Sequence, residues 1–222
     1  MIRHLPPRRE VLPRSWYTRA VVDVARDLLG CYLTTVRDDG TVTIRLTEVE
    51  AYGGADDPGS HAFRGRTTRN AAMFGEPGRL YVYRHMGLHH CVNVVAHHSG
   101  EAGAVLVRAG EVVAGVDVAW ARREAVGTVV SAAQLASGPA RLAVCLGVDL
   151  ADNTADVTSQ DASVVLDQRV TSRRAEPLAS GPRVGVSGPG GDAERYPWRW
   201  WLTGDPTVSA YRRAYRKPMP DL

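Results

Sequence analysis

Apolar and polar residues alternate along Thr41-Val42-Thr43-Ile44-Arg45-Leu46, the period of a β-strand, with Val42, Ile44 and Leu46 on one face. The strand extends over residues 41–49, and Asp38-Asp39-Gly40 is the hairpin turn that joins it to a strand at 31–36. Upstream, Ala20, Val21, Val24, Ala25, Leu28 and Leu29 fall at helical spacing, which predicts an amphipathic helix over 16–29 ending at Gly30. Two strands follow at 80–84 and 88–95, turning at His85-Met86-Gly87, and a further strand at 104–109. Helical patterns occupy 116–125, 131–136 and 139–146; the last opens on Pro139 and stops at Gly147. Later strands are expected at 164–166, 183–186 and 198–203, with a Gly-rich turn region over 186–194. Residues 53–79 form a long polar loop, a length that in a compact domain usually serves function. The Pro- and Arg-rich residues 1–14 read as a loose arm, and 15–222 as a single domain. This order implies an α+β fold: one compact domain with a curved, largely antiparallel sheet, flanking helices and a protruding β-hairpin.

The first strand carries a conflict. If its period holds, Glu48 and Glu50 continue the apolar face, where a carboxylate costs free energy unless it is bonded or has a task. A bulge would flip the register and send Glu50 to solvent. The strand stops at Gly53-Gly54, so Glu50 lies near its rim.

Composition narrows the classes. The 222 residues are 44% hydrophobic, as in a globular chain, and no apolar run reaches the ~20 residues of a membrane span. The basic N-terminus lacks the apolar core of a secretory signal. Cys31, Cys91 and Cys145 form no C-x-x-C pair, which fits a reducing, cytoplasmic compartment. Net charge is only +3, yet residues 62–93 hold Arg64, Arg66, Arg69, Arg79 and Arg84 against Glu76 alone. Arginine forks suit phosphate contacts. His85, His89, His90, His97 and His98 are joined by no Cys or acid at zinc-type spacing, so neither a metal nor another cofactor is expected.

One ordered set of residues identifies a family. Glu50-Ala51-Tyr52, His61 eleven positions on, Arg69-Asn70, Met73-Phe74, Pro77-Gly78, Leu80-Tyr81-Val82-Tyr83, Gly87, Cys91, Asn93 and Val105-Leu106-Val107-Arg108 resemble the alkyladenine (3-methyladenine) DNA glycosylases. The likeness is dense from Glu48 to Arg108 and thinner through Ser137-Gly138-Pro139 to the C-terminus. It implies that Glu50 is the general base and that Tyr52, His61 and Tyr83 stack around a flipped base. It implies that Asn93 rejects guanine's exocyclic amine. Met86 stands at the hairpin tip, where the family often has Tyr, and becomes the wedge between base pairs. Arg108 matches a phosphate or sugar contact, and Arg141, beside Ser137-Gly138-Pro139, is a second phosphate candidate. Arg66, Arg69 and Tyr81 complete the expected DNA contacts. The loop after His61 is one residue shorter than a common family form, and about two extra residues, including His97-His98, lie between Asn93 and Arg108.

Such an enzyme flips its target nucleotide out of the duplex and cuts the N-glycosidic bond. An amine nucleophile would form a Schiff base, but Lys217, five residues from the end, is the chain's single lysine. A water activated by Glu50 fits better. Cationic lesions such as 3-methyladenine and 7-methylguanine suit aromatic walls, and hypoxanthine and ethenoadenine are further, neutral candidates. The expected enzyme is a monofunctional, monomeric glycosylase. It acts on double-stranded DNA through the minor groove in base excision repair, and passes its abasic site to downstream enzymes. Two rivals are a non-catalytic damaged-DNA-binding module on the same scaffold and a metal-dependent nuclease using Glu48, Glu50, Asp56 and Asp57.

Overall fold

The structure, a computed structural model, describes residues 9–169 and 177–214; residues 1–8 of the expected arm and Lys217 lie outside the described residues. The strands are β1 (Arg9–Val11), β2 (Tyr32–Arg37), β3 (Gly40–Tyr52), β4 (Leu80–His85), β5 (His89–Val95), β6 (Ala104–Ala114), β7 (Ala136–Ser137), β8 (Val164–Arg169), β9 (Leu178–Gly181) and β10 (Arg199–Leu202). The helices are α1 (Arg14–Tyr17), α2 (Val21–Leu28), α3 (Val116–Glu124) and α4 (Pro139–Leu146). The sheet runs β1-β8-β2-β3-β6-β5-β4, and every named pairing is antiparallel. This is the α+β class that the order of elements implies. No helix among the described residues is long and apolar enough to cross a membrane.

Strand β3 is the axis. Its first half pairs with β2, its second half with β10, and both halves with β6 on the other side. Val42, Ile44 and Leu46 are fully buried in the main core with Val24, Leu28, Leu142 and Leu146 of α2 and α4. Beyond Leu46 the parity changes: Val49 and Ala51 take over the core side. The cause is a bulge. Leu46 faces Gly110 and Glu48 faces the adjacent Ala109, so Thr47 is the extra residue of β3. A second irregularity follows on β6, where Val49 faces Val107 and Arg108 is left out of the ladder. Glu48 and Glu50 therefore leave the apolar face, contrary to the expectation from an unbroken period. They do not reach solvent either: both are fully buried beneath the chain's C-terminal part.

Other elements differ from expectation for local reasons. The helix expected over 16–29 is two helices. Thr18 Oγ1 donates to the Arg14 carbonyl and Arg19 Nε to the Trp16 carbonyl, which ends α1, and the Ala20 carbonyl starts α2. Residues 9–14, from the expected arm, hold β1, the fully buried Leu12 and the start of α1. Residues 131–136 form a single 3₁₀ turn, Ala132–Gln134, and then β7. No strand forms at 183–186; β9 lies just upstream instead.

The backbone there bonds outside any ladder, the Val184 amide to the Glu50 carboxylate and the Gly185 amide to the Arg212 carbonyl, and the Arg183 side chain is spent inside the molecule. Arg183 is 1% exposed and grips Asp57 with two bonds of 2.6 Å. It also donates to the carbonyls of Ala51 and Gly190 at 2.9 and 2.8 Å. Asp57 accepts the Gly53 and Gly59 amides as well, both at 2.9 Å. A Cβ at Gly59 would lie 2.3 Å from Arg183 Nη2, and one at Gly190 would lie 2.3 Å from the Gly59 nitrogen. Glycine at both positions is what lets the two segments close on the guanidinium. The C-terminal segment is thus clamped onto the end of β3.

Two outcomes follow. Deleting Thr47 resets the period and turns half of β3 onto the wrong face; the deletion is expected to abolish the cooperative thermal melt by circular dichroism, while Thr47→Ser retains it. Arg183→Met strands a buried carboxylate and is expected to cost about 3–5 kcal/mol in urea unfolding; a loss below about 1 kcal/mol would contradict a structural clamp.

Candidate active site

The face of the sheet opposite the main core carries a cleft of about 870 Å³. It is lined from β3 by Tyr52, from β4 by Tyr81, Tyr83 and His85, from β5 by His89, Cys91 and Asn93, and from β6 by Leu106 and Arg108. Period-two alternation explains the set. Leu80, Val82, Val92, Val94, Val105 and Val107 point into the main core, so their neighbours in sequence point into the cleft. His61, Met73 and the Ser137-Gly138-Pro139 turn also line it, as do residues 184–187, Ser209, Ala210 and Arg212.

Glu50 lies directly behind this wall. Its Oε1 accepts the Val184 amide at 2.7 Å; its Oε2 accepts the Tyr52 hydroxyl at 2.8 Å and Arg108 Nη1 at 3.3 Å. All three groups donate, so an ionised, acceptor-only carboxylate satisfies them. All three donors belong to residues that line the cleft. A carboxylate has about four acceptor sites, so these bonds leave roughly one for a water or a substrate atom. Burial and the Glu50 charge push the Tyr52 hydroxyl far above the usual range, which keeps it a donor.

Arg108 is 6% exposed and binds both acids, with Nε on Glu48 at 2.8 Å and Nη1 on Glu50 at 3.3 Å. Burial opposes its charge, but Glu50 and Glu48 outweigh that and raise it further. Glu48 also accepts Arg199 Nε and the Ser209 amide, each at 2.7 Å. Burial works against the Glu48 charge too, yet Arg108, the Ser209 bonds and Arg199 hold its carboxyl below the usual range.

The aromatic residues are coupled. Tyr81 and Tyr83 stack with centroids 5.4 Å apart, and His61 meets the Tyr83 ring edge-on at 4.7 Å. His61 Nδ1 lies 2.9 Å from the Tyr81 hydroxyl. Desolvation, then Arg69 and His85, lower the His61 imidazole, which favours its neutral form. Burial pushes Tyr81 up to about 12 and Tyr83 higher still. The Arg183 guanidinium lies 4.6 Å from the Tyr52 ring centre. Asn93 is buried and donates Nδ2 to the Tyr81 carbonyl at 2.9 Å, which fixes its amide at the cleft wall.

The structure thus brings together Glu50, Tyr52, His61, Tyr81, Tyr83, Asn93 and Arg108. Tyr81, expected among the DNA contacts, is 1% exposed and forms part of the cleft wall. Arg108, expected at a phosphate or sugar, lines the cleft and also holds the two buried acids. Met86 sits at the hairpin tip with φ of 49° and is 78% exposed, as is Leu88 beside it. Arg141, on the first turn of α4, lines the cleft. Arg66 and Arg69 are exposed on the long loop outside the lining, although Arg69 comes within 5.7 Å of the Tyr83 ring centre.

Sequence reasoning missed Arg183, Arg199, Val184 and Ser209 altogether. The Gly-rich run after Arg183 was the available signal: it marks a backbone pressed against something. The acids of the nuclease reading do not gather around a common point. Glu48 and Asp57 spend their oxygens on guanidiniums and amides, and Asp56 is exposed. His97 is buried with its ring nitrogens against the carbonyls of His98 and Gly75. No group of three or more His, Cys, Asp or Glu among the described residues could hold a metal ion.

Known proteins are similar to this chain in sequence. The family model for methylpurine-DNA glycosylase matches residues 15–206. A protein of Streptomyces avermitilis is 47% identical over 206 residues, which cover 93% of this chain and 94% of that protein. One of Leifsonia xyli is 50% identical over 202 residues, 90% of this chain and 92% of the relative. One of Mycobacterium tuberculosis is 45% identical over 202 residues, 89% and 92% of the two chains. Each of these relatives is named provisionally as a 3-methyladenine DNA glycosylase. With the model covering most of its length and relatives this similar end to end, the chain belongs to the methylpurine-DNA glycosylase family.

Proposed function

We propose that this chain, a DNA glycosylase for alkylated bases, is a monofunctional enzyme that flips alkylated purines from duplex DNA and releases them by water attack. One observation carries the reading. A fully buried carboxylate, Glu50, is held by three donors behind an aromatic cleft. In this mechanism the lesion enters between Tyr52, His61 and Tyr83, whose faces attract the positive charge of 3-methyladenine or 7-methylguanine. The C1′–N bond breaks, its electron pair goes to the base, and the base leaves neutral. Positive charge builds on the sugar, where the Glu50 carboxylate opposes it. Water attacks C1′ and gives its proton to Glu50, leaving an abasic site and an intact backbone.

Asn93 is the discriminating group. An amide fixed at the wall crowds guanine's exocyclic amine, which keeps neutral guanine in the duplex; 7-methylguanine carries the same amine but leaves through its cationic ring. Neutral lesions, hypoxanthine and ethenoadenine, need a proton on the leaving base, which makes them poorer substrates than the cations. Met86 and Leu88 at the exposed hairpin tip enter the minor groove and hold the gap left by the flipped nucleotide. Arg66, Arg69 and Arg141 grip the backbone, so binding weakens steeply with salt. The enzyme acts as a monomer in the cytoplasm, on the chromosome, without a metal, and its abasic product passes to enzymes that cut and refill such sites.

Single-turnover release from a duplex carrying one 7-methylguanine, with EDTA present, tests the reading. Glu50→Gln is expected to bind the lesion within a few-fold of the native chain and to release base about 10²–10⁴-fold more slowly. Equal rates would remove Glu50 as the base. Lesion binding by the native chain with no base release would favour the non-catalytic module.

A further inference from the structure

Glu48 is a second buried acid beside the first, and the chemistry above gives it no task. It is fully buried, two residues from Glu50, and turned to the same side of β3 by the Thr47 bulge. It does not line the cleft. Its bonds fix three things at once: Arg108 Nε at 2.8 Å, Arg199 Nε at 2.7 Å and the Ser209 amide at 2.7 Å. The same two arginines reach Ser209 again, Arg108 Nη2 to its hydroxyl at 3.3 Å and Arg199 Nη2 to its carbonyl at 2.9 Å. The result is a closed knot of one acid, two guanidiniums and one serine.

The geometry of Arg108 shows what the knot does. A guanidinium beside a lone carboxylate settles into a two-pronged pair at roughly 2.7–2.9 Å. Here the Nε edge is committed to Glu48, and Glu50 receives a single bond of 3.3 Å from Nη1. Arg108 also stands outside the strand ladder at its own bulge, so regular pairing does not aim its side chain. We infer that Glu48 is a positioning residue for the glycosylase reaction: it draws Arg108 into a knot closed by Arg199 and Ser209, so that Glu50 is steadied by Arg108 without being captured in a full salt bridge and keeps one acceptor site for water. This inference rests on the role proposed for Glu50.

The charge balance gives the test its sign. Glu50 is faced by Tyr52 and Glu48 on its own strand, Tyr83 on β4, Cys91 on β5 and Arg108 on β6. Arg183 lies near it from the C-terminal segment, and Arg199 is its register partner on β10. Removing the Glu48 charge leaves Arg108 with Glu50 as its only acid, a stronger hold on the ionised form. Removing the Arg199 charge does the opposite, because Glu48 then has Arg108 as its one guanidinium, draws it further from Glu50 and stands less compensated beside it. A knot that only holds the fold together would cost stability in both variants, and its lost charges would shift the limb by proximity alone while leaving the plateau at native height.

The experiment is the pH dependence of single-turnover 7-methylguanine release by the native chain, Glu48→Gln and Arg199→Met. Fractions are confirmed as folded by circular dichroism and normalised for lesion binding. For Glu48→Gln the acidic limb is expected to move to lower pH, with a plateau about 10–100-fold below native, as a base held more tightly is a weaker one. For Arg199→Met the acidic limb is expected to move to higher pH. Shifts of opposite sign together with a lowered Glu48→Gln plateau support the inference. A plateau at native height, limbs that stay in place, or limbs that move the same way in both overturn it. If Glu48→Gln does not fold, Glu48→Asp is read for the same plateau; if Arg199→Met does not fold, the Glu48 variant decides alone. A native chain that releases no base at all would instead overturn the proposed function, so the two failures are distinct.

Discussion

Burying a carboxylate is tolerated only where positive charge and hydrogen bonds meet it, and this molecule buries three around one strand end. Glu48, Glu50 and Asp57 are matched by Arg108, Arg199 and Arg183. The matching is not local. Arg108 comes from the neighbouring strand, Arg199 from a strand near the C-terminus, and Arg183 from the segment before it. The C-terminal part must therefore fold back onto β3 before the acids can be dry, so site assembly and folding are one event. A single extra residue, Thr47, makes this possible by turning two acids off the apolar face. The core side of the sheet stays continuous across the bulge because Val49 and Ala51 replace the next two positions in the pattern.

The two faces of the sheet consequently divide the work. One packs aliphatic side chains against α2 and α4 and supplies rigidity. The other spends its positions on Tyr52, Tyr81, Tyr83, Asn93 and Arg108, which pack less apolar area but form a wall with fixed polar atoms. Short cross-links keep that wall from collapsing: Tyr81 to His61, Asn93 to the Tyr81 carbonyl, Tyr52 to Glu50. Rigid aromatic walls suit a base of known shape, and the exposed hairpin tip beside them suits a duplex that must be pried apart. The hairpin places its apolar residues Met86 and Leu88 outward, where they gain nothing for the isolated fold.

Much of this was legible in the sequence, and the exceptions share a cause. Period-two runs located β2 to β6, and Pro139 with Gly147 bounded α4, because these signals are local. The cleft residues could be named because they recur in a family order. The bulge could not be placed: Thr47 is as good a strand residue as its neighbours, and nothing in Thr47-Glu48-Val49-Glu50 marks which position is extra. The break between α1 and α2 rests on Arg19 folding back over Trp16, a side-chain choice that apolar spacing does not report. The partnership of Arg183 with Asp57 spans 126 residues and leaves only glycines as a trace. Arg108 is named through its place in the family order; its grip on two buried acids has no local trace, because arginine suits carboxylate as well as phosphate.

The most direct test of the buried acid as the source of the chemistry is a crystal structure of the native chain on a duplex that carries an abasic-site analogue with a protonated ring nitrogen. Such a sugar imitates the positive charge of bond breaking. The expected result has the analogue rotated into the cleft, its cationic ring facing Glu50, and one ordered water held between them. An analogue seated away from the cleft, or a Glu50 still sealed from both sugar and water behind Tyr52 and Arg108, would contradict the central claim.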